Sequence, residues 1–293
     1  MRLSEAVDFG SNLISRRDTV HVLQSVTGCS REDILIRGDI EIGKNLVAEF
    51  RQKIRRAADG EPLQYVLGKW DFCGTPFIVD NRALIPRPET ELLVEAVINY
   101  VGSRRGSPDS HGTDSKVRAS PAPTEKERLD ILDVCAGGGC IGLSIAKLTG
   151  FWHNVTLADI SEDALALARE NSLRIHPNIT LIQSDLLDNV HGEFDIIVSN
   201  PPYIKGGDME SLPENVKNYE PHLALDGGPD GLGIYRRLIP QCLTKLKPGG
   251  KLILEIGPTD AMEIMQNTGF MDIEIQKDYA GIDRILEGVK NHV

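Results

Sequence analysis

The chain has 293 residues, 41% of them hydrophobic, which is enough for one large domain with a satellite or for two ordinary domains. Its formal net charge is −11, so it lacks the overall basic excess with which proteins grip duplex DNA, and no direct DNA binding is expected. The five cysteines include no C-x-x-C pair and no histidine partner at zinc-finger spacing, and no apolar run approaches the ~20 residues a membrane helix needs; reduced thiols, no metal and a soluble cytoplasmic protein are the expectation.

Residues 1 to about 70 read as helices. Ala6, Val7 and Leu13 are spaced for one apolar stripe, and Val20, Val22 and Leu23 begin another. Ser30 followed by Arg31-Glu32-Asp33 has the form of an N-cap with an acidic first turn. Leu46, Val47, Phe50 and Ile54 recur at helical spacing, with Arg51, Lys53 and Arg55 on other faces. Residues 71–86 change character: Trp70–Gly74 and Phe77–Asn81 suggest two short strands around Gly74-Thr75-Pro76, a hairpin linker. Arg87-Pro88-Glu89-Thr90-Glu91 then opens a helix expected to run to about Tyr100. Residues 102–128, rich in Ser, Gly, Pro and charge, cannot bury a core and are expected to form a flexible surface insertion.

From Leu129 strands and helices alternate. Strands are expected at 129–135, 154–159, 179–183, 194–199 and 251–256, with helices at 139–149, 161–174, 231–246 and 259–268. That alternation implies an α/β fold with a parallel sheet covered on both faces. Met271–Gln276 and Arg284–Val289 leave no room for a crossover helix and should pair antiparallel.

The residues that carry chemistry follow the strands. After the apolar run 129–134 come Cys135-Ala136-Gly137-Gly138-Gly139, where the backbone can approach a ligand closely at a helix N-terminus. Gly137, Gly139 and Gly142 fit G-x-G-x-x-G, and Asp159 lies twenty residues after Gly139, which is also the fingerprint of dinucleotide binding. Asp159 can accept hydrogen bonds from two ribose hydroxyls, or else cap the following helix, a role Ser161 could fill instead. By the same geometry Asp185 lies near an adenine, or forms only a turn. Phe194–Ser199 leads directly into Asn200-Pro201-Pro202-Tyr203. Two prolines fix the backbone and remove two N–H donors, so the Asn200 side-chain oxygen and nearby carbonyls remain as acceptors for a planar N–H₂ group, on which Tyr203 can stack.

With these residues the sequence resembles the class I S-adenosylmethionine-dependent methyltransferases, and within them the bacterial release-factor glutamine N5-methyltransferases. Glu61–Gly68, Leu84–Glu91, and Tyr219-Glu220-Pro221 with Ala224–Gly228 and Asp230-Gly231-Leu232 are similar to that family's signatures, and Lys247–Gly250 to a general methyltransferase feature. The resemblance implies a seven-stranded, mostly parallel Rossmann-like sheet with an antiparallel last strand. It implies a methyltransferase domain at 87–293 and a helical domain at 1–70 that helps dock the release factor. Residues 135–139, Asp159, Leu186 and Asn200 would contact S-adenosylmethionine, and Asn200, Pro201, Pro202 and Tyr203 would bind the glutamine of the Gly-Gly-Gln motif in class 1 peptide-chain release factors. One departure stands out: Cys135 replaces the first glycine of the usual loop, and the turn is expected to survive it. An adenine-N6 DNA methyltransferase, which extrudes its base, a nicotinamide-dependent oxidoreductase and a binding module without turnover are the alternatives.

Overall fold

The computed structural model describes residues 1–104, 128–176, 178–258 and 260–292. The insertion expected at 102–128 lies outside the described residues from 105 to 127. The chain divides into two compact units, one comprising Met1–Trp70, Val79–Asn81 and Leu212–Glu220, the other the remaining described residues.

The first unit is helical, with α1 (Leu3–Ser11), α2 (Arg16–Thr27), α3 (Arg31–Ile36), α4 (Lys44–Ala58) and α5 (Leu63–Leu67). Ser30 caps α3, accepting from the Asp33 amide at 3.0 Å. The expected stripe through Leu13 does not form: α1 ends at Ser11 and Leu13 is half exposed. Leu3, Ala6, Val7 and Gly10 form the buried face of α1 instead. Gly10 is on that face because a Cβ there would lie 2.4 Å from Thr19 Cγ2, so its bare backbone is what lets α1 and α2 touch. The core is Leu3, Leu23, Ile34, Phe50 and Ile54, all at most 2% exposed, and each large apolar chain so buried contributes about 1.5–3 kcal/mol.

A hairpin of β1 (Lys69–Phe72) and β2 (Thr75–Ile78) follows. Its turn is Cys73-Gly74, one step earlier than the Gly74-Thr75-Pro76 expected. Both turn residues have positive φ, 48° and 65°, the twist that two-residue hairpin turns require, whereas Pro76 is held near −65° and sits within β2. A 3₁₀ turn at Pro88–Thr90 precedes α6 (Glu91–Arg104), so Pro88 starts a tight turn rather than the α-helix itself.

The second unit is built on a seven-stranded sheet: β3 (Asp130–Val134), β4 (Asn154–Asp159), β5 (Thr180–Gln183), β6 (Phe194–Ser199), β7 (Leu246–Glu255), β8 (Met271–Lys277) and β9 (Asp283–Val289), in the order β5-β4-β3-β6-β7-β9-β8. Strands β5, β4, β3, β6 and β7 pair in parallel, and β9 pairs antiparallel with both β7 and β8. The central strands are nearly continuous apolar runs because helices cover both faces, while the edge strand β8 has no buried residue. The helices are α7 (Cys140–Leu148), α8 (Glu162–Ile175), α9 (Glu214–Lys217), α10 (Gly233–Lys245) and α11 (Ala261–Thr268), with α9 belonging to the first unit.

Strand β7 starts five residues before the expected 251. Lys247-Pro248-Gly249-Gly250 is a bulged entrance, since the register with β6 jumps between Phe194 and Ile196. Gly250 is packed so closely that a Cβ would meet three carbonyl oxygens at 2.9–3.1 Å. Lys247 Nζ reaches Asp130 Oδ2 at 2.8 Å and Asp195 Oδ2 at 2.7 Å, which ties the starts of β3, β6 and β7 together. Order of the strands therefore puts the carboxyl ends of β3 and β6 side by side, where the sheet's winding reverses and ligands bind.

Candidate active site

A cavity of about 210 Å³ opens at those carboxyl ends. The segment 82–87, Thr90, the loop 134–138, Asp159, Asp185, Leu186, Asn200 and Pro202 line it, together with Leu223, Ile234 and Arg237. Among the residues expected from the sequence, Gly139, Pro201 and Tyr203 are not in the wall.

The glycine loop explains its own composition. Cys135 has φ +58° and Gly137 has φ +54°, both left-handed. That conformation costs a residue with a Cβ roughly 1–2 kcal/mol, which is why a glycine suits position 135. The turn nonetheless closes, with Gly139 N donating to Ala136 O at 2.8 Å. Gly142 and Gly139 act on packing rather than on the cavity. A Cβ on Gly142 would lie 2.2 Å from Leu157 Cδ2, and one on Gly139 would lie 3.0 Å from Leu157 Cδ1, so α7 could not settle on β4.

Asp159 accepts from Gly137 N through Oδ2 at 2.7 Å and from Ser161 N through Oδ1 at 2.9 Å. It does not cap α8; Ser161 does, accepting from Ala164 N at 3.2 Å. Each Asp159 oxygen keeps a lone pair, so the carboxylate can still receive a vicinal diol. Burial raises its pKa, opposed by the backbone donors. Asp185 is engaged by Arg237 at 2.7 Å, half exposed, a partner 52 residues away that strand-by-strand reading does not reveal. Leu186 is buried with φ +50°, a second strained residue in the wall.

The loop end of the cavity is electronegative. Burial, foremost, and then the charges of Asp159, Asp133 and Asp185 push the Cys135 thiol far up. A pyrophosphate placed there would meet the Asp159 carboxylate in the wall, whereas a sulfonium and an ammonium group would be favoured. The residues present therefore fit S-adenosylmethionine better than a nicotinamide dinucleotide.

Asp133 itself is fully buried, accepts from Gly142 N at 2.8 Å, and has no hydrogen-bond partner at Oδ1 among the described residues. Burial, with a smaller push from Asp159, raises its carboxyl to about 8 against the pull of the Gly142 amide. Folded protein thus holds this proton where the unfolded chain, with an ordinary Asp near 3.9, has released it, so stability from this residue falls as pH rises from about 4 to about 8. Asp133→Asn cannot titrate. Its stability advantage over wild type, measured by thermal unfolding without cofactor, is expected to widen across that window by up to about 1.4 kcal/mol per pH unit and then level off. A constant difference would mean that Asp133 stays ionised throughout.

Asn200 sits at the end of β6, directly after Ser199, whose hydroxyl donates to Val134 O at 2.6 Å and locks β6 to β3. Pro201 is buried and Pro202 faces the cavity. The ring of Tyr203 lies on Gly257, where a Cβ would come within 2.5 Å of it, and its hydroxyl donates to Glu255 Oε1 at 3.3 Å. Burial, foremost, and the Glu255 charge push its phenol up to about 12, so it is a neutral donor. Glu255 is 2% exposed; burial raises its carboxyl, opposed by the hydroxyls of Thr90 and Tyr203 and by the Arg284 charge.

The backbone after Tyr203 is held by a strip of loop. Ile204 N donates to Leu225 O at 3.0 Å, Gly227 N to Ile204 O at 2.8 Å, and Gly206 N to Gly228 O at 2.8 Å, forming a short parallel bridge. Sequence reasoning recognised 224–228 and 84–91 as signatures but gave neither a place in the site. The signal was their run of Gly, Pro and charge outside any periodic element.

Comparison with known proteins identifies the family. The Methyltransferase small domain family matches residues 114–228, and the PrmC N-terminal domain family matches residues 12–68. The release factor glutamine methyltransferase of Clostridium acetobutylicum is 36% identical over 281 residues, covering 93% of this chain and 90% of that protein. That of Koribacter versatilis is 34% identical over 302 residues, covering 99% of both. The chain belongs to the release factor glutamine methyltransferase family. Among solved structures, the T. thermophilus 16S rRNA N2 G1207 methyltransferase in complex with AdoMet and guanosine superposes with a TM-score of 0.52 at 18% identity, over 76% of this chain and 50% of that one, a likeness of fold. Family membership and the methyltransferase fold exclude the oxidoreductase reading. No helix among the described residues is long and apolar enough to cross a membrane.

Proposed function

We propose that this protein methylates the side-chain amide N5 of the glutamine in the Gly-Gly-Gln motif of class 1 peptide-chain release factors, with S-adenosylmethionine as methyl donor. The observation that carries the reading is the position of Asn200 and Pro202 in the wall of the same cavity as the 135–138 loop and Asp159. An acceptor amide and a donor methyl can then meet in one space.

The loop 135–138, Asp159 and Leu186 would hold the cofactor, with Asp159 on its ribose. When bound, S-adenosylmethionine supplies an electrophilic methyl whose C–S bond breaks as the N–C bond forms. The protein's part is orientation. An amide nitrogen is a weak nucleophile because its lone pair is delocalised. Asn200 Oδ1 and the Pro201 carbonyl accept the two amide protons, turn the nitrogen toward the methyl, and stabilise the positive charge that develops on it. The methylated nitrogen is acidic enough to lose its proton to water, so no general base is needed. Tyr203 screens the flat acceptor from water. We assign docking of the release factor to the helical domain at 1–70, the transfer chemistry to 87–293 and the segment 71–86 to the link between them. Because a release factor acts in translation, we assign the reaction to the cytoplasm.

The test is transfer of labelled methyl to a purified release factor and, in parallel, to its variant with the Gly-Gly-Gln glutamine replaced. Label on the unmodified factor alone is the expected result. Label on adenine-containing DNA and on neither factor would keep the acceptor site and replace the substrate; the net charge of −11 disfavours it.

A further inference from the structure

The side chain of an asparagine is a near-symmetric fork, and an acceptor role for Asn200 requires its oxygen, not its nitrogen, to face the substrate. A chain of hydrogen bonds decides between the two. Asn200 Nδ2 donates to Thr90 Oγ1 at 3.3 Å, and Thr90 Oγ1 donates to Glu255 Oε2 at 2.6 Å. Thr90 and Glu255 are each 2% exposed and lie 165 residues apart in sequence. The other Glu255 oxygen receives the Tyr203 hydroxyl. Both carboxylate oxygens are thus acceptors for hydroxyl donors, with Arg284 supplying positive charge nearby.

A threonine hydroxyl has a single proton. Here that proton is committed to a buried carboxylate, in a charge-assisted bond stronger than a neutral one. Only lone pairs remain on Thr90 Oγ1 toward Asn200. An amide oxygen turned that way would face another acceptor, so the NH₂ end is selected and Oδ1 is left for a further donor.

We infer that Thr90 and Glu255 are positioning residues of the transfer reaction: the Glu255 carboxylate polarises Thr90, Thr90 sets the amide of Asn200 oxygen-outward, and the same carboxylate anchors Tyr203. This rests on the proposed role of Asn200 as acceptor for the substrate amide. It assigns a function to Thr90 and to the end of β7, which the acceptor motif by itself does not include.

The relay separates activity from stability in a way that a structural role does not. In Glu255→Gln the new amide can donate to Thr90 Oγ1. The threonine proton then swings toward Asn200 and selects its oxygen, so the NH₂ end faces the substrate. Burial already disfavours the Glu255 charge, so its removal relieves a desolvation cost, and Arg284 keeps its ion pair with Asp278, which leaves the fold as stable or more so. The experiment measures kcat and KM for the release factor, the dissociation constant of S-adenosylmethionine, and Tm, for wild type, Thr90→Val, Thr90→Ser and Glu255→Gln. Expected are a fall in kcat of about 10-fold for Thr90→Val and for Glu255→Gln, the loss of one directed hydrogen bond, with cofactor affinity kept and the Glu255→Gln Tm undiminished. Thr90→Ser, which retains the hydroxyl, recovers most of the wild-type kcat.

Wild-type transfer to the release factor combined with Thr90→Val and Glu255→Gln values within twofold of it would overturn the relay alone. So would kcat, cofactor affinity and Tm falling together in all three variants, since that is the signature of a packing role. Wild-type protein that labels no release factor would overturn the proposed function, and the relay with it.

Discussion

Replacing Asn200 with alanine is expected to lower turnover on the release factor about 100- to 1,000-fold, the range measured when one preorganised hydrogen-bonding group is removed from a charge-developing site. S-adenosylmethionine should bind with nearly unchanged affinity, because the loop 135–138, Asp159 and Leu186, which line the cavity, are left as they are. The fold should survive. Asn200 follows a strand whose own residues Phe194, Ile196, Ile197, Val198 and Ser199 are all buried, and Ser199 holds β6 to β3 through the Val134 carbonyl. What alanine removes is Oδ1, one of the two acceptors that turn the substrate nitrogen, and the partner of Thr90. Single-turnover methyl transfer with saturating cofactor measures the loss directly. Turnover within threefold of wild type would mean that the Pro201 carbonyl and the neighbouring backbone orient the amide without the side chain, and the acceptor role given to Asn200 would be withdrawn.

Gly227→Ala is the second substitution with a large expected effect, and it touches no reacting atom. A Cβ at position 227 would lie 2.7 Å from Tyr203 Cα, 2.8 Å from Tyr203 C and 3.0 Å from Gly231 Cα. All three neighbours are backbone, so no flexible side chain can move aside. Either the loop leaves the acceptor segment or that segment shifts. The hydrogen bonds from Gly227 N to Ile204 O and from Gly233 N to Gly227 O resist the first outcome. Overpacking of this kind costs about 1–3 kcal/mol of stability. A displacement of about 1 Å at residues 200–203 would cost on the order of 100-fold in rate. Thermal unfolding and kcat together test this. A Tm drop of several degrees with normal kcat would show that the loop yields and that the acceptor segment stays where β6 puts it.

These two substitutions mark the division between what was readable in the chain and what was not. The glycine loop, Asp159 and Asn200–Tyr203 each follow an apolar strand directly. A parallel sheet places every such strand end on one side, so naming the strands was enough to bring the loop 135–138, Asp159, Asn200 and Pro202 to one cavity, with Gly139, Pro201 and Tyr203 outside its wall. Hydrophobic runs and their alternation with helices are local properties of sequence, and so were the cap at Ser30 and the antiparallel pairing of Met271–Lys277 with Asp283–Val289, forced by a connection too short to cross over. Cys73-Gly74 was misplaced by one step because Pro76 drew the turn toward itself, although a proline's fixed φ suits the strand better than a left-handed turn.

The rest depended on which strands lie next to one another. Glu255 meets Tyr203 because β7 pairs with β6, and meets Thr90 because the 3₁₀ turn before α6 reaches the end of β7, while Asp185, in the loop after β5, meets Arg237 of α10; no periodicity encodes these facts. Close approaches at Gly227, Gly142 and Gly257 likewise exist only between segments far apart in the chain. By itself the sequence determined the kind of chemistry, since residue type at a strand end limits which groups can face a ligand. Tertiary structure alone decided orientation: the turn of Asn200's amide, the anchoring of Tyr203 and the burial that alters Asp133. A hydrogen bond needs two partners at a defined distance, and for most of these residues the second partner is more than fifty positions away.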